Sequence, residues 1–368
     1  MQPQAAKNGL YPVQSPFQLP ISLCQPMFTI IENVSLRAYN SFHMDVKSRY
    51  YAEVKSTEDV HEAIESGKLA KFGENGHLIL GGGSNILFTR DYDGLVLRVS
   101  NKGIESHFEE HDTVFVTASA GENWHGFVTW CVDHGYGGLE NLSLIPGNVG
   151  SCPIQNIGAY GVEVKDCFHS LEAIDLKTGE VRVFSKEECR FDYRDSIFKQ
   201  ELKGKYIIWS VTFKLNRNAQ VQIEYGAIKQ ELSDLEIDYP GISDVSQAVI
   251  NIRHSKLPDP EKLGNAGSFF KNPVVDLKFA GKLKESFPNL VSYPANGDKV
   301  KLAAGWLIEQ CGWKGFRDGY VGVHESQALI LVNYGNAKGS ELLTLAHKIQ
   351  NSVYDRFGVK LEMEVNII

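Results

Sequence analysis

Residues 137–161 read Gly-Gly-Leu-Glu-Asn-Leu-Ser-Leu-Ile-Pro-Gly-Asn-Val-Gly-Ser-Cys-Pro-Ile-Gln-Asn-Ile-Gly-Ala-Tyr-Gly, and they constrain the fold more than any other stretch. Their second half follows neither a helical nor a strand period. Irregular stretches of this length are uncommon inside compact domains and are usually either functional or disordered. Disorder does not fit, because Glu140 is the sole charge and six residues are Leu or Ile. The segment should therefore be buried without being regular. Its N–H and C=O groups must still find partners, and a flat polar ligand lying against it would supply them.

Two shorter glycine-rich runs lie far away in sequence. Gly81-Gly82-Gly83-Ser84-Asn85 follows His77-Leu78-Ile79-Leu80, an apolar run that reads as a strand. Successive glycines let several N–H groups converge on one anion, and Ser84 and Asn85 add side-chain donors. Such a nest suits a diphosphate. It is not the dinucleotide fingerprint, whose third glycine would fall on Ile86, nor a P-loop, since no Gly-Lys-Ser/Thr follows. A plain strand-to-turn connection explains the run as well. The second run, Gly264-Asn265-Ala266-Gly267-Ser268-Phe269-Phe270-Lys271-Asn272-Pro273, surrounds one hydroxyl with small residues. Glycine serves where a chain turns sharply or approaches a ligand closely. A surface turn entering an edge strand is the alternative reading.

Three more motifs complete a pattern: Tyr193-Arg194-Asp195-Ser196-Ile197-Phe198, Lys256-Leu257-Pro258-Asp259-Pro260 and the closing Leu361-Glu362-Met363-Glu364-Val365. In this order, over roughly residues 35–368, the chain resembles the UDP-N-acetylenolpyruvoylglucosamine reductases. Tyr293, in Ser292-Tyr293-Pro294, resembles part of an insertion that marks the longer type of that family. The resemblance implies an α+β fold, with a two-part FAD-binding region of the vanillyl-alcohol-oxidase type and a smaller α+β substrate domain. The expected divisions are 27–100 and 101–250 for the two flavin-binding parts and 251–358 for the substrate domain. The last strand, 359–368, is expected to return near the active site.

The reaction so implied is reduction of UDP-N-acetylglucosamine enolpyruvate to UDP-N-acetylmuramate, a step in peptidoglycan precursor synthesis. FAD is the implied cofactor and NADPH the implied co-substrate. Hydride reaches the double bond, charge develops on the neighbouring carboxylate, and a proton completes the product. By the resemblance, Arg194, Ser268 and Glu364 are catalytic. A guanidinium binds a carboxylate at two points, although an ion pair with Asp192 or Asp195 would explain Arg194 equally. A serine hydroxyl acts as an acid only against a strongly basic carbon within hydrogen-bond reach. Flavin contacts fall to Gly81, Gly82, Gly83, Ser84, Asn85, Ile145, Ser151, Ile157, Gly158 and Arg253. No His occurs in residues 78–106, so non-covalent FAD is expected. The UDP-sugar falls to Tyr160, Tyr193, Tyr225, Lys256, Asn272, Tyr293 and Gln327. One departure is visible: the basic residue often found two positions after the last Glu is Asn366 here. An FAD-dependent oxidase of the same flavoprotein group would explain the glycine runs but not Ser268, Tyr293 or Glu364. A non-catalytic nucleotide-sugar binder would be colourless.

Composition excludes other classes. The net charge of −8 and the lack of a basic cluster argue against nucleic acid as a partner. No run reaches the length of a membrane span. Residues 1–26 carry Pro3, Pro12, Pro16, Pro20 and Pro26, one basic residue, Lys7, and no apolar core of a secretion signal. They read as a disordered tail, or as sequence ahead of a true start at Met27. Six cysteines without a C-x-x-C pair read as free thiols of a reducing compartment. A cytoplasmic monomer is expected. His107 and His111 flank two glutamates in the wrong order for H-E-x-x-H, so no metal is expected.

Periodicity places strands at 51–54, 77–80, 95–99, 113–119, 171–176, 181–184, 206–215, 221–223 and 328–332. Helices are expected over 122–134, 303–311 and 340–357, and after the cap at Ser56-Thr57. The end of the chain alternates strictly. Val359, Leu361, Met363, Val365 and Ile367 share one face, and Lys360, Glu362, Glu364 and Asn366 the other. On that pattern alone Glu364 belongs to an ordinary polar strand face.

Overall fold

The computed structural model describes residues 28–368, apart from 66, 68, 70–75 and 109–111. The expectations for residues 1–26 and for His111 lie outside the described residues. The first sheet is built from β1 (Ile31–Ser35), β2 (Lys47–Val54), β3 (His77–Leu80) and, after the two-residue strand β4 (Ile86–Leu87), β5 (Tyr92–Val99). Its spatial order is β1-β2-β5-β3. Strand β5 runs parallel to both neighbours. Parallel strands are covered on both faces and read as continuous apolar runs, and Leu95, Val96 and Leu97 are fully buried here. The edge strand β1 pairs antiparallel with β2 and leaves most of its residues exposed.

The second sheet is wholly antiparallel: β6 (Ile104–Phe108), β7 (Thr113–Ser119), β8 (Phe168–Asp175), β9 (Val181–Ser185) and β10 (Tyr206–Asn216), in order β9-β8-β10-β7-β6. Helix α2 (Trp124–Asp133) shares one buried cluster with this sheet, through Trp124, Phe127, Val128 and Cys131. Asn123 caps that helix by accepting from the Gly126 N–H at 2.9 Å. Helix α1 (Thr57–Glu65) packs Val60 and Ala63 on the first sheet. Helices α3 (Gly226–Asp234) and α4 (Ile242–Lys256) pack on each other in a separate small cluster. Helix α4 runs straight through the division expected at residue 250.

A third sheet, β11 (Val274–Asp276), β12 (Ser292–Pro294) and β13 (Lys299–Leu302), has β13 in the centre. Helix α5 (Leu277–Ser286) follows β11. The long helix Gly339–Phe357 buries Leu342, Leu345, Ala346, Ile349 and Val353 on one face. Gly358 stops it with φ at +66°, a conformation that glycine adopts freely. No helix among the described residues is long and apolar enough to cross a membrane.

Three sequence expectations need correction. The strand expected at 328–332 is shifted: residues 328–330 form a turn and its end, and the strand is Leu331–Asn333. Residues 221–223 form no strand: the Gln222 carbonyl accepts from Asn141 Nδ2 at 2.8 Å, and Val221 and Ile223 pack on the α3–α4 cluster. The end of the chain is not one continuous strand. It is extended and alternates in burial from Val359 to Glu362, but then it changes partner. Met363 bridges antiparallel to Phe270, and the Glu364 N–H reaches the Phe269 carbonyl at 2.8 Å. Three residues on, Asn366–Ile367 pairs parallel with β4. A segment with one partner on each side cannot keep a single pleated face.

Candidate active site

The long irregular segment meets its hydrogen-bonding needs largely from its neighbours. The Gly147 carbonyl accepts from the Trp124 N–H at 2.9 Å, and the Val149 and Gly150 N–H groups reach the carbonyls of Glu122 and Ala120, both at 2.9 Å. The Leu144 N–H donates to His125 Nδ1 at 3.0 Å, and the Leu144 carbonyl accepts from Arg253 Nε at 3.2 Å. Asn141 Nδ2 also donates to the Tyr160 carbonyl at 3.1 Å. Buried Glu140 accepts from the Gly138 N–H at 2.6 Å. Burial raises its carboxyl pKa, and these backbone donors partly offset the rise.

The triple-glycine turn packs directly on this segment. A side chain at Gly83, whose φ is +64°, would place its Cβ 2.0 Å from the Tyr39 carbonyl oxygen; at Gly82 the Cβ would stand 2.8 Å from Asn148 Oδ1. Two residues expected as ligand donors are already engaged. Ser84 Oγ donates to the Pro146 carbonyl at 3.0 Å, and Asn85 Nδ2 donates to Gln155 Oε1 at 2.6 Å. Their side chains tie the turn to the long segment, which leaves backbone N–H groups to face an anion.

Between these walls lies a cavity of about 250 Å³. Of the expected catalytic residues, Arg194, Ser268 and Glu364 all line it. So do the expected flavin contacts Ser84, Asn85, Ile145, Ser151, Ile157, Gly158 and Arg253, with Gly81, Gly82 and Gly83 packed behind. Ser268 follows Gly267, with φ at +68°, and precedes the buried Phe269 and Phe270. Those rings anchor the turn while the serine stays exposed to the cavity. The Glu364 backbone pairs with Phe269 on one side, and its carbonyl accepts from Asn85 Nδ2 at 3.3 Å on the other. One short segment thus fixes the triple-glycine turn, the serine turn and the glutamate relative to each other.

The Glu364 side chain is only 12% exposed, and Arg194 Nε lies 2.9 Å from its Oε1. That N–H is not aligned as a hydrogen bond, so the contact is an ion pair. Arg194 Nη2 donates to the Gly158 carbonyl at 2.8 Å. Neither Asp192 nor Asp195 lies within ion-pair distance of Arg194. Burial raises the Glu364 pKa, against the pull of Arg194, Lys199 and Lys271. Leu144, Asn156, Tyr160 and Arg194 all have φ between +44° and +59°. Such conformations cost on the order of 1–3 kcal/mol each, and they concentrate at functional sites.

The residues expected to hold the UDP-sugar stand outside this cavity. The rings of Tyr160 and Tyr225 meet edge to face at 5.3 Å. Burial raises the Tyr225 pKa, and nearby Tyr293 adds to the rise. Tyr293 on β12 pairs with Lys301 on β13, whose Nζ sits 3.7 Å from the centre of the Tyr193 ring. Asn272 Oδ1 accepts from the Ala304 N–H at 2.9 Å, and Gln327 Oε1 accepts from the Leu329 N–H at 3.5 Å. Lys256 ends α4 and is exposed. The sequence reading missed Asn148, Gln155, Leu257 and Pro260 among the lining residues. The first two lie inside the irregular segment and the last two inside the Lys-Leu-Pro-Asp-Pro motif, so the motifs held the signal without singling them out. Asn366 also lines the cavity, with Nδ2 donating to the Asn85 carbonyl at 2.9 Å.

The residues present fit a flavin dinucleotide. Arg253 lines the cavity with no carboxylate within 4.0 Å among the described residues. Burial lowers its pKa, and Tyr160 opposes that shift. A partly buried cation of this kind suits a ligand that carries electron-rich oxygens. No cluster of His, Cys, Asp or Glu among the described residues could hold a metal ion.

Comparison with known proteins agrees. Residues 48–185 match the family model of an FAD binding domain, and residues 259–368 match that of the UDP-N-acetylenolpyruvoylglucosamine reductase C-terminal domain. The chain is 52% identical over 334 residues to the UDP-N-acetylenolpyruvoylglucosamine reductase of Pseudomonas savastanoi pv. phaseolicola, covering 91% of this chain and 97% of that protein. It is 49% identical over 340 residues to the reductase of Flavobacterium johnsoniae, covering 92% and 99%. Among solved structures, the UDP-N-acetylenolpyruvylglucosamine reductase of Thermus caldophilus shares the fold, with a TM-score of 0.63 at 22% identity, over 93% of this chain and 99% of that one.

Proposed function

The chain belongs to the UDP-N-acetylenolpyruvoylglucosamine reductase family, and from that membership we propose how its residues divide the work of the reaction. It is an FAD-dependent oxidoreductase of α+β fold that reduces UDP-N-acetylglucosamine enolpyruvate to UDP-N-acetylmuramate for peptidoglycan synthesis. Bound FAD would supply the hydride chemistry, with NADPH as the donor and the terminal carbon of the enolpyruvyl double bond as the acceptor. The triple-glycine turn would hold the cofactor diphosphate through backbone N–H groups, and residues 145–158 would hold its ring system. The lack of His in residues 78–106 supports non-covalent attachment.

Arg194 stabilises the charge that develops on the substrate carboxylate. Its Nε faces Glu364 and its Nη2 holds the Gly158 carbonyl, so the cation is fixed before the substrate carboxylate arrives. A fixed cation of this kind acts without reorganising as charge develops. Ser268 gives its proton to the carbon next to that carboxylate. Glu364 holds the guanidinium in place and faces the same space. Tyr160, Tyr193, Tyr225, Lys256, Asn272, Tyr293 and Gln327 take the UDP-sugar, in the region from α3 and α4 to the β11–β13 sheet. NADPH and a nucleotide sugar put the reaction in the cytoplasm.

The observation that carries this reading is the closing segment, which sets Glu364 between Asn85 and Phe269, one residue from Ser268. The test is spectroscopic. Purified protein is expected to be yellow and to release FAD when heat-denatured. It should consume more than one equivalent of NADPH per flavin only when the enolpyruvyl UDP-sugar is added. A colourless protein, or flavin that takes electrons from another substrate without NADPH, would contradict it.

A further inference from the structure

We propose that Lys199 is a positioning residue for the Arg194–Glu364 pair: it clamps the left-handed turn that aims Arg194 and sets a further positive charge beside Glu364. The proposal rests on the reading of that pair given above. Lys199 ends the single helical turn Ile197–Lys199, five residues beyond Arg194. Its Nζ reaches back to donate to the Arg194 carbonyl at 3.4 Å. Arg194 itself has φ at +55°, which a long side chain adopts only when its surroundings hold it there. The rest of the turn is also tied down. Ser196 Oγ donates to the Ile154 carbonyl at 2.7 Å, and Asp192 and Asp195 exchange backbone hydrogen bonds.

Lys199 is half-buried, yet among the described residues no carboxylate lies within 4.0 Å of its ammonium. Lysines are mostly exposed, and burying even part of one disfavours its charge. The charged groups acting on it are Lys271, Glu364, Asp195 and Lys203. Those acting on Glu364 are Arg194, Lys199 and Lys271, with Tyr193 also nearby. Lys271 is partly committed elsewhere, with Nζ 3.7 Å from Glu362 Oε2. Burial lowers the Lys199 pKa, Lys271 lowers it further, and Glu364 opposes both. The lysine therefore accepts a desolvated site that its own chemistry disfavours, and in it holds the Arg194 carbonyl, with Glu364 beyond ion-pair distance but within the reach of its charge.

The sign of its effect follows from charge. Removing a cation disfavours the ionised carboxyl, so the Glu364 midpoint must rise. The measurement is infrared titration of the FAD-loaded protein, following the protonated-carboxyl band that Glu364→Gln removes. Lys199→Met is expected to raise that midpoint by about half a unit or more, and Lys199→Arg to leave it near the starting value. Lys199→Gln, neutral but still a donor, should raise the midpoint too, and it keeps the test open if the methionine variant does not fold. Turnover in Lys199→Met should fall by about tenfold, within the cost of misplacing a catalytic group, with FAD binding and melting temperature nearly unchanged. A midpoint that stays in place in both neutral variants overturns the proposal, whatever the kinetics. A raised midpoint with unchanged turnover sustains the hold of Lys199 on the pair and overturns the catalytic reading of Arg194 and Glu364 instead.

Discussion

Arg194 carries two demands at one position: a left-handed backbone and a guanidinium engaged by both Glu364 and Gly158. A lysine at this position would keep the charge but lose the fork that holds Glu364, Gly158 and a substrate carboxylate together. Arg194→Lys is therefore expected to lose roughly tenfold to a thousandfold in turnover, the range for a lost oxyanion donor. Steady-state kinetics on the flavin-loaded variant measures this, and unchanged turnover would return Arg194 to a structural role. The arginine was legible in the sequence because its motif is distinctive. Glu364 was less so. Strand alternation assigns it to a polar face, and only the exchange of partners between Met363 and Asn366 turns it inward. Lys199 gave no separate signal, because its role depends on a carbonyl five residues back.

Helix α2 and the irregular segment after it form one unit, joined at Leu144. The His125 ring accepts the Leu144 N–H through Nδ1, which requires the neutral imidazole. Burial lowers the His125 pKa, and the charges on Arg253 and His254 lower it further. The unfolded chain then binds the proton more tightly than the folded one. The stabilisation is complete above an unfolded pKa of about 6.5 and is lost as pH falls below it toward the lower folded value. Between pH 7.5 and pH 5.5 the melting temperature should fall, and His125→Gln, a neutral acceptor without a proton to bind, should show a smaller fall. Equal falls in both proteins would remove His125 from this role. At this scale the elements with strong periodicity were legible: β7, β10 and the long helix Gly339–Phe357 lie within a residue or two of expectation. Helices α3, α4 and α5 were not. Helices α3 and α5 bury narrow stripes, such as Ile228 and Leu232 on α3, and on α4 polar residues dilute a wider one.

The largest gap between sequence and structure lies in the assembly of the whole molecule. One buried cluster joins Leu36, Phe42 and Leu87 to Phe269, Leu307, Ile349 and Val365. The substrate portion therefore shares its core with the first sheet, and local periodicity carries no trace of contacts between residues so distant in sequence. The order of motifs did foretell that the site draws on widely separated segments. On the proposed function, a single cavity serves two chemical events, hydride transfer from NADPH and reduction of the enolpyruvyl ether. Only the second needs the Ser268 proton. Rapid-mixing absorbance at the flavin band separates the two in Ser268→Ala. Reduction of the bound flavin by NADPH is predicted to keep a near-normal rate, while its reoxidation by the enolpyruvyl substrate slows by at least about a hundredfold. Ser268→Cys, which keeps a transferable proton, should recover part of that loss. If both half-reactions slow equally in the alanine variant, Ser268 holds the site together and is not the proton donor.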